Sequence, residues 1–543
     1  MSSFVISGNV VDIRSRRIYP ASVEVRDGII TTITPTVDKY NQFILPGFID
    51  AHVHIESSMI VPSEFARLAV VHGTVATVSD PHEIANVLGI QGVEYMIDNG
   101  AKTPFKFNLG APSCVPATMF ETAGATLTAD DIETLFKRKE VRYLSEMMNF
   151  PGVLNNDTEV MEKLAIAKRY NRPIDGHAPG LKGDAAKAYA DAGISTDHEC
   201  YTIEEALDKL EYGMKILIRE GSAAKNFDAL HPLLKEHSDS CMFCSDDKHP
   251  DSLVSGHINE LVKRSVRLGY DVFNVLRVAC VNPIEHYKLE VGQLNIGDAA
   301  DFICVENLED FKVLKTYIDG KLVAENGKSL IPKVPVNIVN NFSVSPKSVD
   351  DFRIPAGKGK LRVIEALDGQ LITNKIFADG NIDKDQTVSD VINDILKIAV
   401  VNRYNEAKVA VGFVKGFGLR KGAIASSVAH DSHNIIAVGV TDSDLCKAVN
   451  AVIKYKGGIS VIEGENEDVL PLPVAGIMSA EDGYEVATSY SHLDTKAKKL
   501  GSTLSAPFMT LSFMGLLVIP ALKLSDKGLF DGKNFKFTNI WTE

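Results

Sequence analysis

Two histidines separated by one residue form the first candidate metal site of the chain. His52 and His54 lie near the end of a predicted strand, GFIDAHVHI, at residues 47–55. Because residues i and i+2 of a strand face the same side, both imidazoles are expected to point into the same space. Such a pair can bind a transition metal, although an isolated HxH pattern also occurs as two polar strand residues without a metal.

Four more residues of metal-ligating type each follow another predicted strand. They are Glu146 after VRYLS, His177 after RPIDG, His198 after ISTD and Asp246 after CMFCS. Each alone could be a helix cap or a polar loop residue, but ligand types at the ends of five strands indicate one shared site. Six nitrogen and oxygen ligands exceed a tetrahedral site, so we expect two divalent metal ions bridged by Glu146. A ligand set without thiolates suits Mn(II) or Fe(II), which we favour, and also Zn(II).

The elements that must bring these residues together alternate between strand and helix from about residue 46 to 290. Short apolar stretches there are separated by helical stretches such as EVMEKLAIAKRY and EEALDKL. Eight such units predict an α/β fold, a (β/α)8 TIM-like barrel whose strand ends meet at one face. The eight predicted strands are GFIDAHVHI, VATVSD, KFNLGAP, VRYLSEMM, RPIDGH, ISTDH, MKILIREG and CMFCSD.

Strand-rich segments precede and follow the predicted barrel at residues 46–290. Residues 1–45 contain short strands with a hairpin-turn signal at Asp27-Gly28, and residues 291–340 return to turns and short strands. These two segments predict one small discontinuous β-sandwich domain. Residues 341–350 are typical of a linker, and residues 350–543 mix helix and strand patterns. We therefore expect an additional C-terminal α+β domain, which could cover the active site.

The composition is that of an ordinary globular protein, with 45% hydrophobic and 24% charged residues. The net charge of −14 argues against an electrostatic grip on nucleic acid or on an anionic membrane. No run of 18 apolar residues occurs, and the N-terminus lacks the order of a secretory signal. Seven scattered cysteines favour a reduced, cytoplasmic protein. We expect a small-molecule substrate and neither nucleic acid nor membrane as a partner.

Longer segments of the chain resemble one enzyme family. PGFIDAHVHIESS and GDAADFICVE resemble the amidohydrolase superfamily, which places HxH on strand one, histidines on strands five and six, and aspartate on strand eight. More closely, HVHIESSM, VSDPHEIANVLG, GHAPGL, TDHE, FCSDDKHPDSLVSGHI, AHDSHNIIAVG and PLPVAGIMS resemble bacterial-type adenine deaminases over essentially the whole length. Many binuclear amidohydrolases use a carbamylated lysine on strand four. The segment YLSEMMNF has none, which argues against a dihydroorotase or hydantoinase and matches a glutamate-bridged centre.

The resemblance implies hydrolytic deamination of adenine to hypoxanthine and ammonia, in purine salvage or adenine catabolism. A metal-activated hydroxide would attack C6 of the purine. Asp246 could then take a proton and pass it to the departing amine. Ring N1 must also gain a proton, and Glu83 and Glu220 are the two candidates for that step. The family also favours a homo-oligomer, with a dimer as the first expectation.

Six further residues are candidate substrate contacts. His82 follows strand two, where His82 or Glu83 could contact substrate or form a further metal site; the alternative is that Asp80 simply caps the next helix. Ser113 could line the pocket or lie in a plain loop. Asp247 and His249 follow the ligand strand and could contact substrate or orient ligands. The cluster HDSHN could be a metal site, a substrate loop or a solvated turn, and the resemblance favours a loop that reaches over the barrel mouth. Its candidate residues are His430 and His433.

Two other functions stay open at this point. One is an amidohydrolase that acts on another nucleobase or on a cyclic amide, because substrate choice depends on pocket shape. The other belongs to a different class, a non-catalytic barrel that binds a purine. The complete ligand set counts against this second alternative.

Overall fold

Four strands form the N-terminal part of the chain. The structure, a computed structural model, describes residues 3–542. The strands are β1 (Ser3–Asp12), β2 (Arg17–Arg26), β3 (Ile29–Pro35) and β4 (Phe43–Pro46). β2 and β3 pair antiparallel across the predicted turn at Asp27 and Gly28. These two residues have φ angles of 49° and 85°, as a tight hairpin turn requires.

A closed ring of parallel strands follows. The strands are β5 (Phe48–His54), β6 (Thr74–Ser79), β7 (Lys106–Ala111), β8 (Val141–Met147), β9 (Ile174–Gly176), β10 (Thr196–Asp197), β11 (Lys215–Arg219), β12 (Cys241–Cys244) and β13 (Asp246–Asp247). Pairing runs from β5 to β9 and from β10 to β12. The Ser195 N–H donates to the Ile174 carbonyl between β9 and β10 (2.8 Å), and β13 pairs with β5 to close the ring. All eight predicted barrel strands are present, which confirms the TIM-like barrel.

Helices between these strands cover the outside of the barrel. The first turns of several helices are stabilised by capping side chains, for example those of Thr128, Asp157 and Thr202, which accept backbone N–H bonds. The helices are α1 (Pro62–Ala69), α2 (His82–Leu88), α3 (Ile90–Gly100), α4 (Ala129–Phe136), α5 (Phe150–Leu154), α6 (Thr158–Arg169), α7 (Gly183–Asp191), α8 (Ile203–Glu211), α9 (Phe227–Leu230), α10 (Leu233–Glu236), α11 (Pro250–Ser255), α12 (Ile258–Arg267), α13 (Val272–Leu276) and α14 (Asn282–Tyr287).

The segment after the barrel returns to the N-terminal strands. Its strands are β14 (Phe302–Val305), β15 (Val313–Ile318), β16 (Lys321–Glu325) and β17 (Lys328–Ser329). Together with β1–β4 they form one eight-stranded sheet in the order β17-β16-β15-β14-β4-β1-β2-β3. Val23, Ile44 and Phe302 belong to its apolar core. The two ends of the barrel segment are therefore joined in a single sheet.

The C-terminal part is built on a second eight-stranded sheet, in the order β20-β19-β24-β23-β26-β25-β27-β28. Helix α15 packs against β25, β26 and β27 of this sheet. The elements are β18 (Ile354–Pro355), β19 (Leu361–Ala366), β20 (Thr373–Ala378), β21 (Asn381–Asp383), β22 (Gln386–Val388), β23 (Leu396–Val401), β24 (Ala410–Lys415), β25 (Ala423–Ser426), β26 (Ile435–Gly439), α15 (Asp442–Lys454), β27 (Gly458–Glu463), β28 (Asn466–Pro471), α16 (Gly483–Lys499), α17 (Pro507–Phe513), β29 (Leu522–Ser525), β30 (Gly528–Asp531) and β31 (Lys536–Phe537).

Helix α16 joins the C-terminal part to the barrel. It packs against α1 and α11. The Arg67 guanidinium lies 2.8 Å from the Asp482 carboxylate, and the Gly483 N–H donates to Glu64 Oε2 at 2.9 Å. The loop between β25 and β26 also reaches the barrel, because its His430 and His433 contact Glu83 at the start of α2. Within residues 3–542, no helix combines the length and apolar character needed to cross a membrane.

Candidate metal centre

The six side chains predicted as metal ligands lie together at the carboxyl ends of the barrel strands. His54 Nε2 lies 3.1 Å from His52 Nε2 and 3.2 Å from Asp246 Oδ1. On the other side of the cluster, Glu146 Oε2 lies 2.8 Å from His177 Nδ1 and 3.0 Å from His198 Nε2. Glu146 Oε1 faces the first group, 3.5 Å from His54 Nε2. The Glu146 carboxylate thus lies between two groups of ligand atoms, where a bridging ligand is expected.

The donor set of this cluster fits divalent cations. It consists of imidazole nitrogens and carboxylate oxygens, and its side chains are buried. His177 Nε2 and both ring nitrogens of His82 are buried without a hydrogen-bond partner. So is Asp80 Oδ2, although unpartnered buried polar atoms are costly. A bound cation would give such atoms a partner, so the residues present fit the metal that the ligand pattern predicts.

The charged neighbours keep the two central carboxylates ionised. Burial alone would raise the pKa of Glu146, but His177 and His198 hold that pKa well below its ordinary value. Burial likewise opposes ionisation of Asp246, but the Arg219 guanidinium and the hydrogen bonds with the strand-one histidines lower its pKa well below the usual range. Both groups are therefore available as anionic ligands at neutral pH.

Arg219 lies in the cluster, although the sequence does not predict it there. It is 1% exposed, its Nη1 lies 2.7 Å from Asp246 Oδ2, and it also bonds the Glu199 carboxylate. The sequence reasoning named the next residue, Glu220, whose carboxylate instead faces Arg264 (2.9 Å) and Lys225 (3.3 Å). Successive strand residues point to opposite faces, so only one of the two can point into the barrel. The structure does not bring Glu220 to the ligand cluster.

Glu199 and Asp80 are two further carboxylates in the cluster. Glu199 Oε1 lies 3.5 Å from His198 Nε2 and 3.7 Å from His177 Nδ1. Asp80 Oδ2 lies 3.1 Å from His82 Nδ1. Asp80 follows β6, and Glu199 lies two residues after β10. These positions at strand ends are the signal that could identify them. The sequence analysis assigns no role to Glu199 and gives Asp80 only as a possible helix cap.

Glu83 lies at the centre of a second group, which joins the barrel to the C-terminal part. One oxygen of its carboxylate bonds His430 Nδ1 and the other bonds His433 Nε2. Burial would raise the pKa of Glu83, but His430 and His433 hold it well below its ordinary value. Burial lowers the pKa of His430, but Glu83 and Asp247 together raise it above the ordinary value. The Glu83–His430 pair therefore holds a proton near neutral pH as one unit.

His82 connects the two groups. Its Nδ1 lies 3.3 Å from Glu146 Oε1, and its Nε2 lies 3.4 Å from Glu83 Oε1. It comes from the first turn of α2, directly after β6. This candidate substrate residue therefore lies between the ligand cluster and the Glu83–His430 pair.

The remaining candidate residues lie around the cluster with partners of their own. Ser113 Oγ donates to the backbone carbonyl of Glu146 at 2.6 Å, which fixes the end of β8. Asp247 Oδ1 accepts a bond from Ser57 Oγ at 2.5 Å and lies 3.7 Å from His430 Nε2. A hydrogen bond of 2.5 Å joins His249 Nδ1 to the hydroxyl of Tyr490 on α16. Asp247 thus faces His430 of the Glu83–His430 pair, while His249 contacts the C-terminal part.

Comparison with known proteins gives one consistent result. Residues 43–323 match the amidohydrolase family, and residues 370–536 match the adenine deaminase C-terminal domain. An adenine deaminase of Sulfurovum sp. (strain NBC37-1) is 58% identical over 98% of both chains. One of Salinibacter ruber is 56% identical over 100% of both chains, and one of Methanosarcina mazei is 52% identical over 99% of both. With such similarity along its whole length, the chain belongs to the adenine deaminase family, within the amidohydrolases.

Proposed function

We propose that the chain hydrolyses adenine to hypoxanthine and ammonia. The observation that carries the proposal is the 56% identity to an adenine deaminase over the full length of both chains. The buried cluster of imidazoles and carboxylates supports it, because a hydrolase of this type needs a polarised water next to C6 of the purine. One proton of the water ends on ammonia. The other leaves the C6 hydroxyl as the carbonyl forms and restores the protein group that gives a proton to N1.

The proposed metal ligands are those that the sequence predicts, namely His52, His54, Glu146, His177, His198 and Asp246. We favour two ions of Mn(II) or Fe(II), with Zn(II) as a third candidate. When bound, these ions would lower the pKa of water enough for it to act as a nucleophile near neutral pH. Arg219, bonded to Asp246 and Glu199, would hold both carboxylates in place.

Asp246 is the proposed proton carrier between water and the leaving amine. Its Oδ1 faces His52 and His54 at 3.5 and 3.2 Å, and its Oδ2 is held by Arg219. An ionised carboxylate in this position can accept a proton as the C6–O bond forms. It can return that proton to the amine as the C6–N bond breaks.

The Glu83–His430 pair is the proposed source of the proton on N1. Negative charge develops on N1 while C6 is attacked, so a proton donor must lie beside it. Of the two glutamates that the sequence offered, Glu83 adjoins the cluster through His82 and Glu220 does not. His433 bonds the second oxygen of Glu83 and would orient its carboxylate.

The domain division predicted from sequence is part of the proposal. Residues 1–45 with 291–340 would form one domain, residues 46–290 the barrel and residues 350–543 a third domain that covers the active site. The contacts of Glu83 with two histidines of the loop between β25 and β26 support the covering role. Such a cover would exclude bulk water from the reaction. We also propose that the protein is cytoplasmic and that it forms a homodimer. Sedimentation of the purified chain would test the dimer.

The decisive experiment is ammonia release from adenine by the purified chain. The metal-free protein is loaded in turn with Mn(II), Fe(II) or Zn(II), and hypoxanthine is measured by chromatography. Cytosine is the comparison substrate for ammonia release. Dihydroorotate and hydantoin are followed by chromatography of their ring-opened products, because their hydrolysis releases no ammonia. We expect adenine to be the substrate. A protein that holds two metal ions per chain but releases no ammonia from adenine would contradict the proposal.

A further inference from the structure

Asp431 has no assigned role, although it lies inside the candidate site. It belongs to the loop between β25 and β26 and is 3% exposed. Its Oδ1 lies 3.7 Å from His82 Nε2, and its Oδ2 is buried without a hydrogen-bond partner. Leaving a buried carboxylate oxygen without a partner is costly, so such an oxygen in an active site indicates a ligand group that donates a hydrogen bond.

No side chain around Asp431 donates a hydrogen bond to its Oδ2. Ligand atoms of His82, Glu83 and Asp431 all lie within 4.8 Å of one another. Glu121, from the loop after β7, is also close. Burial and the charge of Asp431 raise the pKa of Glu121 well above its ordinary value. The loop thus places a buried carboxylate oxygen without a hydrogen-bond partner close to Glu83.

The groups on adenine decide which donor fits. Adenine carries N–H bonds on its 6-amino group and on its five-membered ring. The 6-amino group is attached to C6, the ring atom bonded to N1, whereas the N–H of the five-membered ring lies across the molecule from N1. Glu83 and Asp431 are close neighbours. With Glu83 at N1, the N–H that lies within reach of the Asp431 oxygen is therefore that of the 6-amino group, because C2, the other neighbour of N1, carries no donor. Hypoxanthine carries a carbonyl oxygen at the same position and would meet the carboxylate oxygen with no proton between them.

We propose that Asp431 is a specificity-determining residue, which accepts a hydrogen bond from the 6-amino group of adenine and disfavours the 6-carbonyl of hypoxanthine. The inference rests on the proposed function, since it places Glu83 at N1. Its consequence is that the site distinguishes substrate from product. A site built to hydrogen-bond a substrate N–H discriminates strongly against an analogue that lacks it, because the buried acceptor is then left unpaired.

The test compares Asp431→Asn and Asp431→Ala with the wild-type chain. The KM for adenine, the competitive Ki for hypoxanthine and the metal content per chain are measured for each. Ser432→Ala is the matched control, because it changes the neighbouring buried residue of the same loop. The amide of Asp431→Asn can donate to the hypoxanthine carbonyl. In this variant the Ki for hypoxanthine should therefore fall about tenfold, while the KM for adenine rises. Asp431→Ala should raise the KM for adenine about 10- to 100-fold without raising the Ki for hypoxanthine.

The deciding measurement is the ratio of the KM for adenine to the Ki for hypoxanthine, which a purely structural role of Asp431 would not change. If Asp431 only supports the loop, both constants should rise together in both variants, and the inference is wrong. Loss of bound metal in Asp431→Asn would make the residue a metal ligand and would also overturn it. Ser432→Ala should leave the ratio unchanged. Absence of adenine deamination by the wild-type chain would refute the proposed function itself, a result distinct from an active chain with an unchanged ratio.

Discussion

Replacement of Glu83 by glutamine tests both the proton supply and the contact between the barrel and the C-terminal part. Glutamine keeps the size of the side chain but cannot carry a proton to N1. Loss of a positioned general acid lowers the rate by about 10²- to 10⁴-fold. The charge-assisted bonds to His430 and His433 are lost as well. We expect kcat for adenine to fall by about 10³-fold in Glu83→Gln, with unchanged metal content, because Glu83 lies outside the proposed ligand set.

A double-mutant cycle shows whether His433 acts through Glu83. Loss of one hydrogen bond to a charged group is worth about 1.5–3 kcal/mol, so His433→Ala alone should lower kcat/KM by about 10- to 100-fold. In the Glu83→Gln background the same change should cost less than about threefold, because its partner is already gone. Steady-state ammonia release from the four proteins gives the coupling free energy. Multiplicative effects of the two changes, or a Glu83→Gln chain within tenfold of wild type, would refute this reasoning.

Three further outcomes are expected. Asp246→Asn should abolish turnover and lower the metal content, whereas Glu220→Gln should keep both near the wild-type values. Steady-state kinetics and metal analysis of the two variants check this, and equal losses in both would contradict the assignment. Removal of metal by a chelator should stop ammonia release, and Mn(II) or Fe(II) should restore more activity than Zn(II); activity that survives with no bound metal would exclude the proposed role. Burial lowers the pKa of Lys523 to about 7, so the unfolded chain holds this proton above that pH and the folded chain does not. Between pH 6 and 9 this should raise the free energy of unfolding by on the order of 3 kcal/mol, a rise that Lys523→Met should lack in urea unfolding. Parallel pH profiles would contradict it.

The barrel and the clustering of the six candidate ligands could be predicted from sequence because two independent signals coincide. Each buried parallel strand reads as a short apolar run, and a residue of ligand type follows several of these runs. The fold then brings those residues to one face, so His177 and His198 meet Glu146 although they come from different strands. The positions of the candidate ligands follow from strand order and required no knowledge of side-chain contacts.

The residues that the sequence reasoning missed depend on finer geometry. Arg219 and Glu220 are adjacent, and only the exact strand register decides which one faces the barrel interior. The bonds of Glu83 to His430 and His433 join residues more than 300 positions apart, and no local pattern indicates such a pairing. The strands of residues 350–543 were likewise not assigned, because their sheet is held by contacts distant in sequence.

The division of the site between barrel and C-terminal loop has a consequence for biosynthesis. The ribosome completes all six proposed metal ligands once Asp246 is made, but the histidines that hold Glu83 emerge only much later. Domains generally fold as they leave the ribosome, N-terminal first. On the proposed assignments, a nascent chain would acquire metal ions before it could transfer protons to a purine. Deaminase activity would begin only when synthesis is nearly finished, so truncated translation products would sequester metal without consuming adenine.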